Sequence, residues 1–133
     1  MRTVFADTFF FLAILNPADG SHRRSVELSR SLVARRVTTT WVLTEVADAM
    51  SQSSNRAVFL KFLAALERNS AVSIVPASEA LYRRGLDLYR SRPDKDWSLT
   101  DCISFVVMQE HGIAEALTGD RHFTQAGFAA LIG

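Results

Sequence analysis

The sequence predicts an α/β protein, a three-layer α/β/α sandwich around a mainly parallel sheet of about five strands. Short β-branched or apolar runs alternate with segments of helical periodicity, which implies crossover connections and a sheet covered on both faces. Hydrophobic residues make up 48% of the 133, enough for one real core. Three acids, Asp7, Glu45 and Asp120, fall near the ends of the first, second and fourth apolar strands, the edge at which such a sheet gathers ligands. No repeat, low-complexity segment or linker divides the chain, so residues 1–133 are expected to form a single domain.

The elements follow in order. Residues 3–6 read as a short buried strand and 8–15 as a helix ending before Pro17, with Asp7 at the junction. Ser21 is placed to cap a second helix running to about residue 35, with Val26, Leu28, Leu32 and Val33 on its apolar face. The β-branched residues 37–39 form a second strand, followed by a helix over 41–50. After a polar break at 51–55, a helix over 56–68 repeats Val58, Phe59, Phe62, Leu63 and Leu66 at helical spacing. Residues 72–75 are a third strand stopped by Pro76, and Ser78 caps a helix to about residue 90. Residues 92–97, with a proline among charged residues, form a loop. A helix over 98–111 is closed by Gly112 in the left-handed conformation. Residues 114–117 are a fourth strand, 119–125 a turn region and 128–132 a short fifth strand.

The formal net charge of +1, from 15 basic and 14 acidic residues, gives no global field for or against nucleic acid. All basic residues except Lys61 and Lys95 are arginines, with adjacent pairs at Arg23/Arg24, Arg35/Arg36 and Arg83/Arg84. Arginine forks match phosphate oxygens well, although on residue type alone a GC-rich codon bias is the better account of the excess. Cys102 is the only cysteine, which excludes an internal disulfide and makes the cytoplasm the expected location. The apolar run 9–15 follows Arg2 as in a signal peptide, but Asp7 interrupts the approach and no small-residue cleavage site follows, so export is not expected. No apolar run approaches the ~20 residues of a membrane helix.

Each acid has a plain local role beside a chemical one. Asp7 suits an N-cap, and Glu45 suits a helix boundary with its head in solvent. Asp101, three residues after Ser98, resembles the second half of a capping box, and Asp120 after Gly119 suits a turn. These roles are independent of one another and do not explain why the acids gather near strand ends. A carboxylate cluster repels itself unless a cation holds it, and Mg²⁺ or Mn²⁺ is the hard ion that prefers such oxygens. An ion held there can activate water and stabilise the departing oxygen of a phosphodiester. Thr8, Thr100 and Thr118 each neighbour an acid, and each can bond it or simply follow strand and helix-start propensity. His22, His111 and His122 form no zinc pattern with Cys102 and read as structural or surface residues. Cys102, inside a helix, reads as a small core residue.

The motifs VFADT at 4–8, TTWVLTEV at 39–46, DWSLTDCISF at 96–105 and ALTGDRHF at 116–123 together resemble PIN-domain ribonucleases, especially VapC-like toxins of toxin–antitoxin pairs. The likeness spans essentially the whole chain and is most specific over 96–123. Asp7, Glu45, Asp101 and Asp120 match the family's acidic quartet, in which the first and third positions are usually the firmest metal ligands. The resemblance implies a PIN-like fold, an Mg²⁺ or Mn²⁺ requirement, cleavage of single-stranded or looped RNA, homodimers, and a small antitoxin covering the acidic pocket. Phe9 follows Asp7-Thr8 where many relatives carry a smaller, more polar residue, so substrate preference does not carry over. Asp96 belongs to the matched run but not to the quartet, and reads as an outer-shell or loop residue.

Three rivals stand beside this reading. A housekeeping PIN-type nuclease, processing RNA or cutting structured DNA, shares the chemistry. A receiver-like Mg²⁺-binding signalling domain requires a phosphorylatable acid after the third strand, where the chain has Val75-Pro76. A partner-binding role is compatible with any of these.

Overall fold

The computed structural model describes residues 1–133. The order is β1 (Thr3–Ala6), α1 (Thr8–Leu15), α2 (His22–Ser31), β2 (Arg35–Thr39), α3 (Thr40–Ala49), α4 (Ser53–Arg68) and β3 (Val72–Val75). It continues with α5 (Glu79–Ser91), α6 (Leu99–Glu110), β4 (Glu115–Leu117), α7 (Arg121–Gln125) and β5 (Ala129–Ala130). All five strands pair in parallel, in the order β3-β2-β1-β4-β5. The chain therefore builds outward from β1 to β3, returns across the sheet, and builds outward again from β4. Right-handed crossovers then place α1–α4 on one face and α5–α7 on the other, which gives the predicted three-layer sandwich.

The core explains why the apolar runs sit where they do. Val4, Phe5 and Ala6 of β1 are at most 1% exposed, as a central strand covered on both faces requires. Every residue of α6 from Cys102 to Met108 is buried, so this helix is the hydrophobic centre of its layer. Phe105 meets Trp97 and Phe123 edge-on at 5.1 and 4.9 Å between ring centroids. Gly85 of α5 is buried against α6, and a Cβ there would collide with Ile103 Cγ1. Gly85→Ala is therefore expected to cost about 1–3 kcal/mol through overpacking, read as a lowered midpoint in denaturant unfolding.

Several boundaries differ from expectation. The second helix ends at Ser31 rather than near residue 35, because Arg35 and Arg36 are taken by the sheet: Arg35 N–H donates to Arg2 O and Arg36 N–H to Ala71 O. Val33, assigned to the helix's apolar face, lies beyond it and is 81% exposed. Ser21 occupies the N-cap position but its hydroxyl makes no cap bond. The polar break at 51–55 is largely the first turn of α4, which begins at Ser53, and Val58 on that helix faces solvent. The turn region 119–125 contains α7, with Asp120 capping it through the His122 N–H. The fifth strand is regular only over Ala129–Ala130, although Leu131 and Ile132 N–H groups still bond to Ala116 and Thr118 carbonyls. Gly112 does terminate α6 with φ +66, and the Ser78 hydroxyl does accept from Leu81 N–H.

Candidate active site

Asp7 and Asp120 follow the carboxyl ends of β1 and β4, Glu45 lies on α3 just after β2, three neighbouring strands, and Asp101 comes in on α6. Between β1 and β4 the chain changes the direction in which it builds the sheet, the topological switch point where such folds open a crevice. Asp7 leaves the end of β1 there, and its N–H donates to Leu117 O at the end of β4. Its side chain is 5% exposed and makes no cap hydrogen bond to α1, so N-capping does not account for this acid. Instead Asp7 Oδ2 accepts from the buried Thr118 hydroxyl at 2.9 Å, and Thr118 Oγ1 in turn accepts from Asp120 N–H at 3.0 Å. One threonine thus fixes the Asp7 carboxylate and the backbone of the Asp120 turn together.

Asp101 serves two purposes. It completes a capping box on α6, with its N–H donating to Ser98 Oγ and its Oδ2 accepting from Ser98 N–H. The same Oδ2 accepts from His122 Nδ1 at 2.9 Å, and that nitrogen lies 3.5 Å from Asp120 Oδ1. Asp101, Asp120 and His122 offer ligand atoms that all lie within 4.8 Å of one another. Asp7 and Glu45 are not part of that group. Glu45, partly buried on α3, is held by the Thr8 hydroxyl at 2.6 Å. Of the three neighbouring threonines, Thr8 and Thr118 bond acids, whereas Thr100 makes no side-chain bond to one. Asp96 is exposed and lines a separate cavity beside Arg92 and Trp97.

His122 is the residue that sequence reasoning misplaced. It was read as structural or surface because no zinc spacing included it, yet it joins two acids of the quartet. Its position two residues after Asp120, on a helix capped by that acid, was the available signal.

Burial drives the electrostatics. Loss of hydration pushes the Asp7 carboxyl up to about 7, against the Thr118 hydroxyl and Thr8 N–H, which favour the charged form; Asp101 and Asp120 repel it further. No Lys or Arg pairs with any of the four acids. Several exposed arginines are engaged elsewhere: Arg23 with Glu27, Arg83 with Glu79 and Arg84 with Glu110. Asp7 is buried and Glu45, Asp101 and Asp120 are partly buried; carboxylates without a Lys or Arg partner suit a hard divalent cation, and Asp101, Asp120 and His122 are close enough together to share one. Burial also pushes the Cys102 thiol up to about 11, so it is no nucleophile at neutral pH.

A family model for the PIN domain matches residues 4–129. The chain belongs to the PIN domain family. Within that family it is similar to VapC20 of Mycobacterium tuberculosis, a 23S rRNA-specific endonuclease, with 26% identity over 125 residues, 94% of this chain and 95% of the relative. Its fold superimposes on the crystal structure of VapC20, a sarcin-ricin loop cleaving toxin, with a TM-score of 0.86 and 25% identity, covering 96% of this chain and 98% of that one. FitAcB from Neisseria gonorrhoeae shares the fold at a TM-score of 0.66 and 18% identity, over 96% of this chain and 94% of that one. The PIN fold thus occupies nearly the whole chain. No helix of this PIN domain is long and apolar enough to cross a membrane.

Proposed function

We propose that this PIN domain is an endoribonuclease dependent on Mg²⁺ or Mn²⁺, and that it is the toxin of a toxin–antitoxin pair. The observation that carries the metal requirement is Asp7: a buried carboxylate at the switch point, repelled by Asp101 and Asp120 and lacking a basic partner. Asp7 and Asp101 hold the ion most directly, with Glu45 and Asp120 completing the site. When bound, the ion supplies an activated water and neutralises charge on the phosphodiester. The rest is done by side chains that keep the acids aimed. Thr118 fixes Asp7, Thr8 fixes Glu45, and His122 holds the Asp101 oxygen through Nδ1–H.

The likeness to VapC20 supports RNA as substrate and makes the sarcin-ricin loop of 23S rRNA the first target to try. We propose in addition a small cognate antitoxin as partner, a homodimer as the working form, and action in the cytoplasm. The test has two arms. Purified protein is incubated with 23S rRNA in Mg²⁺, Mn²⁺ or chelator, and the chain is induced alone in a bacterium while new RNA ends are mapped. Discrete ends that depend on divalent metal and appear in both arms are the expected result. Intact RNA in both would overturn the reading, and cleavage of flap DNA in preference to RNA would shift it to a housekeeping nuclease.

A further inference from the structure

Helix α1 carries three consecutive phenylalanines with different fates. Phe10 and Phe11 are buried in the core and pair with each other at 5.6 Å. Phe9 is partly exposed, and it belongs neither to the buried core nor to the apolar side chains that pack on it. The far edge of its ring points instead at Gly119, where a Cβ would sit 2.6 Å from Phe9 Cζ and 2.9 Å from Cε1. Gly119 does not have a positive φ, which only Gly112 and Gly127 show. A side chain at 119 would displace the ring from the place it occupies there.

This places an aromatic ring among the acids. Gly119 lies between Thr118, which holds Asp7, and Asp120; Thr8, just before the ring, holds Glu45. Contact with Gly119 through the ring edge leaves both ring faces free of that residue, and no other aromatic ring pairs with Phe9. Such a ring offers nothing to a cation held by carboxylates and no donor to a phosphate. A nucleobase has a π face that matches it, and unpaired RNA bases are commonly bound by stacking on aromatic side chains. Resting on the endoribonuclease reading above, we infer that Phe9 is the platform on which a nucleobase flanking the scissile phosphodiester stacks, and so a specificity-determining residue of this site.

The test is a coupling cycle between side chain and base. Cleavage kinetics are measured with a synthetic RNA spanning the mapped cut site, and with the same RNA made abasic on either side of the cut. Phe9→Leu keeps an apolar side chain against Gly119 and lacks a π face; it is expected to raise KM roughly 5- to 150-fold on the intact RNA. Removing one flanking base should penalise the unsubstituted protein by a similar factor and Phe9→Leu no further. Phe9→Met repeats the cycle should the leucine variant not fold. Equal KM for Phe9→Leu and the unsubstituted protein, or the same abasic penalty in both, overturns the inference while leaving the nuclease reading intact. Failure of the unsubstituted protein to cut any RNA overturns that reading, and the inference with it.

Discussion

Asp7→Asn and Asp101→Asn are each expected to lower RNA cleavage roughly a thousandfold or more, the several kcal/mol that a metal ion supplies to charge development at phosphorus. The protein should stay folded in both cases. Asn at 7 still accepts from the Thr118 hydroxyl, which now bonds the carboxylate at 2.9 Å. Asn at 101 still offers an oxygen to Ser98 N–H and keeps most of the capping box. Because Asp101 caps α6 as well as facing the site, Ser98→Ala is the necessary control. It removes the cap hydroxyl, costs about 1 kcal/mol of stability, and leaves the carboxylate in place. Cleavage within a few-fold of normal in Ser98→Ala, beside its loss in Asp101→Asn, separates chemistry from capping. Undiminished cleavage by either asparagine variant would remove that acid from the proposed site.

The metal-free protein is expected to lose stability as pH rises from about 4 to about 7, and to recover it when Mg²⁺ is added. The sign follows from Asp7, whose folded carboxyl is raised from 3.8 to about 7, chiefly by burial. Below 3.8 both folded and unfolded chains carry the proton at this position, and its favourable contribution is fully present. Between the two values the unfolded chain releases the proton while the folded one keeps it, so stability falls with pH; above about 7 the loss is complete. At 1.36 kcal/mol per pKa unit the loss is about 4 kcal/mol as an upper bound. Thermal unfolding across that range, comparing the unsubstituted protein with Asp7→Asn, isolates this residue from the other titrating groups. The variant should be the more stable at pH 8 without metal and gain less from Mg²⁺. A variant that tracks the unsubstituted protein at every pH would show that Asp7 is not the strained carboxylate described.

The architecture was legible because its signals are local. Strand and helix types followed from periodicity, α5 from the Ser78 cap and the end of α6 from Gly112. Errors arose where long-range pairing took residues away from a local pattern. Arg35 and Arg36 look like the end of a helix, but hydrogen bonds to Arg2 and Ala71 draw them into the sheet. The arginine pairs suggested a basic surface for polyanions, and several are occupied by glutamates on their own or neighbouring helices.

By itself, the sequence determined the fold class and the positions of the four acids along the chain. Tertiary structure alone decided the strand order that sets β1 beside β4, and with it the bond from Thr118 to Asp7 across 111 positions of sequence. It also brought His122 against Asp101 and stood Phe9 over Gly119. Helix propensity, capping and period-two alternation act over a few residues and can be read in order. Which carboxylate is desolvated, and which ring stands beside Gly119, depends on surfaces that meet only when the whole sheet is assembled.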